Sequence, residues 1–142
     1  MRFLLPILAV LCCISACQPA GNNMDSNSKT GPAQVTGTLS YRERMLLRPG
    51  SVAEVWLLDV SKADVRAVEL AHQVIENPGS PPIPFALEYD PANIDERMSY
   101  SVRATIKHGD RLLFTSDTHY PVLTRGAGNT AEIMLKAIPQ DQ

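Results

Sequence analysis

From Gln34 onward, apolar and polar positions alternate with a period of two. Val35, Gly37, Leu39 and Tyr41 alternate with Gln34, Thr36, Thr38 and Ser40, which predicts a strand with one buried face. A turn at Arg48-Pro49-Gly50 leads into a second strand, Val52 to Val60. There Ala53, Val55 and Leu57 share one face, and Glu54, Trp56 and Leu58 the other. A polar turn, Ser61 to Asp64, precedes a third strand from Ala67 to Ile75. The run Asn77 to Pro82 breaks the pattern before Ile83, Phe85, Leu87 and Tyr89 resume it. Pro84 lies inside that fourth strand and assigns it to a sheet edge, because proline cannot donate to a ladder on both sides.

Asp90 to Asn93 reads as a turn or a single helical turn. The alternation is cleanest at Tyr100, Val102, Ala104 and Ile106 against Ser101, Arg103, Thr105 and Lys107. His108-Gly109-Asp110 closes a hairpin into a strand from Arg111 to Ser116. A short strand, Tyr120 to Leu123, follows a kink, and Thr130 to Leu135 is the last. Seven or eight short strands in about 100 residues predict an all-β fold, an antiparallel Ig-like β-sandwich, with a small barrel as the alternative. The expected domain is 34–138, followed by a disordered tail at 139–142.

The N-terminus reads differently. Arg2 precedes an apolar run from Phe3 to Ile14 that is 12 residues long. Spanning a bilayer takes about 20, so the run fits a secretory signal peptide. It ends in Ile14-Ser15-Ala16-Cys17, which reads as a bacterial lipobox. A thiolate at Cys17 can take a diacylglyceryl group as a thioether, and small Ser15 and Ala16 fit a narrow peptidase cleft. Residues 1–16 are then removed, and the new N-terminus at Cys17 takes an N-acyl chain. Two or more acyl chains anchor a protein stably. Cys13 competes poorly, because bulky Leu11 stands where a small residue is wanted.

Residues 18–33 are rich in Gly, Asn, Ser and Pro and predict a disordered tether after the lipidated Cys17. Its r.m.s. reach is about 20–25 Å, and about 55 Å fully stretched. Gln18, rather than Asp, follows the cysteine, which by the enterobacterial sorting rule directs the protein to the outer membrane. The domain then faces the periplasm.

Composition narrows the chemistry. The chain has 142 residues, 13 basic and 15 acidic; removing Arg2 leaves 12 against 15, a mature charge of −3. No basic block supports a nucleic-acid surface. The mature chain keeps one cysteine, and that one is acylated, so neither a disulfide nor a multi-cysteine zinc site is expected. Ser116, Asp117 and His119 are close in sequence, but in an extended segment Ser116 points away from the other two. His72, His108 and His119 have no metal-binding spacing. Asp90, Asp95 and Glu96, with Asn93 between, lack the spacing and glycine of a calcium loop. No catalytic residue, metal or cofactor is expected beyond the lipid on Cys17, and the protein is read as no enzyme. Arg42, Glu43 and Arg44 read as a solvated turn, with an anionic lipid or glycan patch as the alternative.

Trp56 is the most informative single residue. If Val55 and Leu57 face the core, Trp56 and Leu58 face outward, and an exposed tryptophan is a common binding hot spot. The other reading has Trp56 covered by a neighbouring segment or buried in a two-faced central strand. On the first reading Trp56, Leu58 and the edge strand at Pro84 form a contact surface for an envelope partner.

Several runs together resemble the YbaY-type lipoproteins, a family grouped with the YscW-type lipoprotein chaperones of type III secretion. They are Val35 to Arg44, Glu54 to Ser61, Pro82 to Phe85, Tyr89 to Pro91, Leu112 to Asp117 and Tyr120 to Thr124. The resemblance covers residues 34–136. It implies an outer-membrane lipoprotein with a periplasmic β-sandwich. YscW-type members act as pilotins, which help a secretin ring reach and assemble in the outer membrane. The expected function is therefore a non-enzymatic chaperone, pilotin-like adaptor or assembly factor for an envelope protein. The alternative is a periplasmic module that binds a small lipid or glycan between its sheets. The expected partners are the membrane, through the lipid, and an envelope protein; an edge strand permits dimerisation without requiring it.

Intact mass spectrometry of the membrane-extracted protein is expected to give a chain that starts at Cys17 and carries diacylglyceryl and N-acyl groups. An unacylated chain, or one that retains residues 1–16, overturns the lipobox reading.

Overall fold

The computed structural model describes residues 33–139. The signal segment, Cys17, the tether up to residue 32 and the end of the expected tail lie outside the described residues. Eight strands follow in order: β1 (Ala33–Tyr41), β2 (Ser51–Asp59), β3 (Val68–Glu76), β4 (Ile83–Tyr89), β5 (Tyr100–His108), β6 (Arg111–Thr115), β7 (Tyr120–Val122) and β8 (Thr130–Ala137). One 3₁₀ turn, Pro91–Asn93, separates β4 from β5, with Asp90 capping it by accepting from the Ala92 amide at 2.9 Å. The fold is all-β, as the alternation predicts.

The arrangement of the strands corrects the expected sandwich. One hydrogen-bonded path runs β3-β2-β5-β6-β8-β1-β4, with β7 pairing β5 beside it. β6 and β7 share one edge of β5: β6 pairs from Thr105 to His108, and β7 from Tyr100 to Val102. The sheet is not wholly antiparallel either, because β1 and β8 run parallel from Thr36↔Thr130 to Tyr41↔Leu135. The path rolls toward a barrel rather than splitting into two layers.

Side chains close the places where no ladder does. At one seam, the Gln73 Oε1 on β3 accepts from the Ala86 amide on β4 at 2.9 Å. That amide points away from β1, so the amide of residue 84 would point the same way. Pro84 therefore removes no ladder bond, and β4 ends the path as an edge strand, as expected. At the other seam, β8 meets β6 only at Lys136 and Ala137. There the Tyr120 hydroxyl accepts from the Met134 amide at 2.9 Å and donates to the Met134 carbonyl at 3.0 Å. One side chain thus satisfies a backbone donor and acceptor that a neighbouring strand otherwise would.

The inward positions form one continuous core: Val35 and Leu39, Val55 and Leu57, Ile83 and Leu87, Val102 and Ile106, Phe114, Val122, and Ile133 and Leu135 among them. Tyr41 stacks on Phe114 with ring centroids 4.5 Å apart. Its hydroxyl donates to the Met45 carbonyl at 3.1 Å, and burial, with Glu43 nearby, raises its pKa. Buried Tyr100 accepts from the Asp95 amide at 2.9 Å, which ties the loop before β5 to the core.

Gly37 permits the tightest approach in the sheet. A Cβ at this position would lie 1.8 Å from the Ala131 carbonyl oxygen and 2.8 Å from the end of the Phe85 ring. Both neighbours are strand partners of Gly37 in the ladders. Gly37→Ala is expected to destabilise the domain by about 3 kcal/mol or more, because backbone must move on one side and a core ring on the other. Urea denaturation checks this, and a loss below about 1 kcal/mol would show that the sheet relaxes freely there.

Candidate functional site

β2 is flanked by β3 and β5 in register, Trp56 standing opposite His72 on one side and Arg103 on the other. Strand alternation turns Val55 and Leu57 into the core and Trp56 and Leu58 outward. Trp56 is half-buried outside the core. The His72 ring covers one face of its indole, with centroids 5.1 Å apart and planes 4° from parallel. Of the two readings of Trp56, the outward one describes its position, and His72 accounts for its partial cover.

Trp56 and Leu58 line an open groove of about 580 Å³ with Arg66, Arg103, Thr105 and Leu112. Pro84 is exposed on β4 and is not among the lining residues, so the three expected contact residues do not form one surface. The groove runs across the outer face of β2 and β5 and is covered at one end by the start of β3. A bulge between Leu57 and Leu58 takes Leu70 out of register, which sets Glu69 beside Leu58 at the groove wall.

The groove is electropositive. Arg66, Arg103 and Lys107 line it against a single acid, Glu69. Lys107 is held by Glu54 at 3.0 Å, whereas Arg66 and Arg103 make no ion pair among the described residues. Thr105 forms part of the floor. It is 7% exposed, and its buried hydroxyl has no hydrogen-bond partner. Such a group costs about 1–3 kcal/mol unless something bonds it. The groove thus offers an indole, two leucines and two unpaired guanidinium groups.

Arg103, Thr105 and Lys107 had been legible as the polar face of β5. Their meeting with Trp56 was not, because it depends on β2 pairing with β5, which sets Trp56 opposite Arg103, 47 residues later in the chain. Nothing in the local pattern selects that partner.

The other sequence clusters are occupied by structural roles. The Ser116 hydroxyl accepts from the Ala104 amide at 3.1 Å, and its own amide donates to the Ala104 carbonyl at 2.9 Å. Asp117 pairs with Lys136 at 3.5 Å and accepts from Thr118, which lowers its pKa. No hydrogen bond joins Ser116, Asp117 and His119 among the described residues. Asp95 takes two charge-assisted bonds from the Arg97 side chain and one from its amide, which lowers its pKa to about 2. The exposed loop carboxylate thus already has its cation. Among the described residues, no group of three or more His, Cys, Asp or Glu is placed to hold a metal.

Residues 31–135 match the family of type III secretion system lipoprotein chaperones called YscW. The chain belongs to that family. The match begins just before β1 and ends inside β8, so it spans nearly the whole sheet. The uncharacterized lipoprotein YbaY of Escherichia coli (strain K12) is 31% identical over 147 residues, covering 94% of this chain and 77% of the relative. The fold is similar to that of an alternative pilotin from the type II secretion system of Vibrio cholerae, with a TM-score of 0.74 and 37% identity. That superposition covers 78% of this chain and 100% of the pilotin. Membership in a lipoprotein family places the chain in the cell envelope.

Trp56→Ala is expected to cost about 1–2 kcal/mol of stability, since only part of the indole leaves water. Phe114→Ala, at a position 1% exposed, is expected to cost about 3–5 kcal/mol. Denaturation of the two variants side by side checks the difference; equal losses would return Trp56 to the core and remove the groove's anchor.

Proposed function

We propose that this protein is an outer-membrane lipoprotein that acts as a pilotin-like adaptor, holding a segment of an envelope client in the Trp56 groove. The supporting observation is the groove itself, carried by a chain of the YscW family whose fold is similar to that of a pilotin. An adaptor needs an exposed anchor residue and a means of orienting the client, and the groove supplies both. The indole and Leu58 receive apolar side chains. Arg66 and Arg103 orient an acidic flank.

The client segment is therefore apolar with acidic residues beside it. Charge gives direction and on-rate more than affinity, so the indole contact carries most of the binding energy. Acylation of Cys17 confines the domain to the plane of the outer membrane, facing the periplasm. The tether raises its effective concentration for clients at the same surface. No step of this role makes or breaks a covalent bond in the client, and none needs a cofactor.

The small-ligand alternative requires a chamber between the sheet faces. The space inside the sheet is taken by the core cluster from Val35 to Leu135, and the groove lies outside it.

Crosslinking in intact cells, affinity capture of the acylated protein and mass spectrometry test the proposal. A secretion-system or other envelope component is expected, captured by the acylated protein, lost with Cys17→Ser and reduced at least about tenfold with Trp56→Ala, as for hot-spot truncation. Equal capture by Trp56→Ala would place the contact elsewhere. Capture of abundant lipoproteins alone would overturn the adaptor role.

A further inference from the structure

Between β1 and β2 the chain reads Arg42-Glu43-Arg44-Met45-Leu46-Leu47-Arg48. Leu46 is 77% exposed and Met45 44% exposed. A single exposed leucine is ordinary, but these two are displayed by a fixed backbone. On one side the Tyr41 hydroxyl holds the Met45 carbonyl at 3.1 Å. On the other, Leu47 packs against the core and the Ser51 amide donates to the Arg48 carbonyl at 3.0 Å. The Gly50 amide, in turn, is held by Asn77 Oδ1 at 2.7 Å. The loop is thus pinned at both ends, with its two apolar side chains turned to solvent.

Three exposed cations, Arg42, Arg44 and Arg48, surround them. None makes an ion pair among the described residues, and Glu43 is the only acid in the run. The opposite pole of the sheet, where β1 starts, carries the acidic loop residues Asp90, Asp95 and Glu96, whereas Asp117 lies near Arg42 and is already paired with Lys136.

We propose that this loop is a second membrane contact, seating Met45 and Leu46 among the headgroups of anionic lipids while Arg42, Arg44 and Arg48 pair with their phosphates. Apolar side chains ringed by arginine match a lipid interface, where buried apolar area and attraction to anionic lipid act together. The length of chain ahead of β1 allows it. β1 carries the chain about 27 Å from Ala33 to the loop's pole. Residues 18–32 can extend about 50 Å, so an acylated Cys17 and the loop can reach one bilayer together. The inference rests on the acyl-anchor reading for the nearness of the membrane. It adds an orientation, with β1 laid along the surface instead of the domain swinging freely.

The test uses the mature chain with Cys17→Ser, which has no lipid anchor. Leu46→Cys in that background is labelled with an environment-sensitive fluorophore. It is titrated with phosphatidylethanolamine vesicles containing about one third phosphatidylglycerol, and with phosphatidylcholine vesicles. A blue shift is expected with the anionic vesicles only. Replacing Arg42, Arg44 and Arg48 together by Gln is expected to weaken it roughly tenfold or more, and Trp56→Ala to leave it unchanged. No shift, an equal shift with phosphatidylcholine, a shift that survives the triple Gln variant, or a stronger response to polyglutamate than to vesicles would each overturn the proposal. The last would assign the loop to an acidic protein. Because this protein carries no acyl group, such failures leave the lipid anchor and the Trp56 groove to stand on their own tests.

Discussion

The fold depends on how closely β8 approaches β1 at Gly37. With a carbonyl oxygen only 1.8 Å from where a Cβ would sit, no other residue type allows that parallel pairing in place. β1 is hydrogen-bonded on both sides, to β8 in parallel and to β4 in antiparallel. It is therefore the strand that joins the last part of the chain to the middle. Without it, β4 would have no strand partner and β8 would keep only its two ladder pairs with β6, beside the Ile138–Leu113 backbone bond and the Tyr120 hydroxyl. Phe85 laid over the glycine fills the space that the missing side chain leaves, so the close approach opens no void.

The same geometry explains why side chains appear at the seams. A sheet that rolls without closing leaves backbone donors and acceptors at the meeting edges, and these are costly where water is excluded. Gln73 and Tyr120 answer that need with one amide oxygen and one hydroxyl. Proline at position 84 serves the same end from the other direction, since it removes a donor that would have had no partner. β4 is thus blunted as an edge, which argues against strand addition there. The outer face of β2 and β5, whose backbone is already paired on both sides, is open to a partner only through its side chains.

The strands were legible because burial on one face imposes a period of two, and that period survives at Val35–Tyr41 and Tyr100–Lys107 without help from context. The edge position of β4 was legible for a similar reason: a proline carries its backbone constraint wherever it stands. Trp56 and Leu58 facing outward followed from alternation alone. What alternation cannot carry is which strand lies beside which. The pairing of Trp56 with Arg103, and of Gly37 with Ala131, joins segments far apart in sequence, and strand pattern is indifferent to distance. The buried hydroxyl of Thr105 was hidden for the same reason. Its position on the polar face of β5 predicts solvent, and only the neighbours that pairing brings across it exclude water. Gln73 is the converse case, a polar side chain on the inward face of β3 whose partner sits on β4.

These placements divide the surface by task. Core and seams use the inward face and the strand edges. The groove uses the outward face of two strands paired on both sides, so its residues stand on the most rigid part of the sheet, and a site on rigid elements keeps its geometry when a client is pulled. The arginine-flanked loop stands at the pole where β1 ends, away from the pole where the chain enters the sheet. A domain attached at one pole alone could turn about its tether, and its groove would then face every direction in turn. Contact at the second pole removes most of that freedom, because two separated contacts on one plane leave rotation only about the line between them. A groove that lies on the side of such a body keeps its place along that line, which an adaptor delivering a client to that membrane could use and a freely tumbling binding module could not.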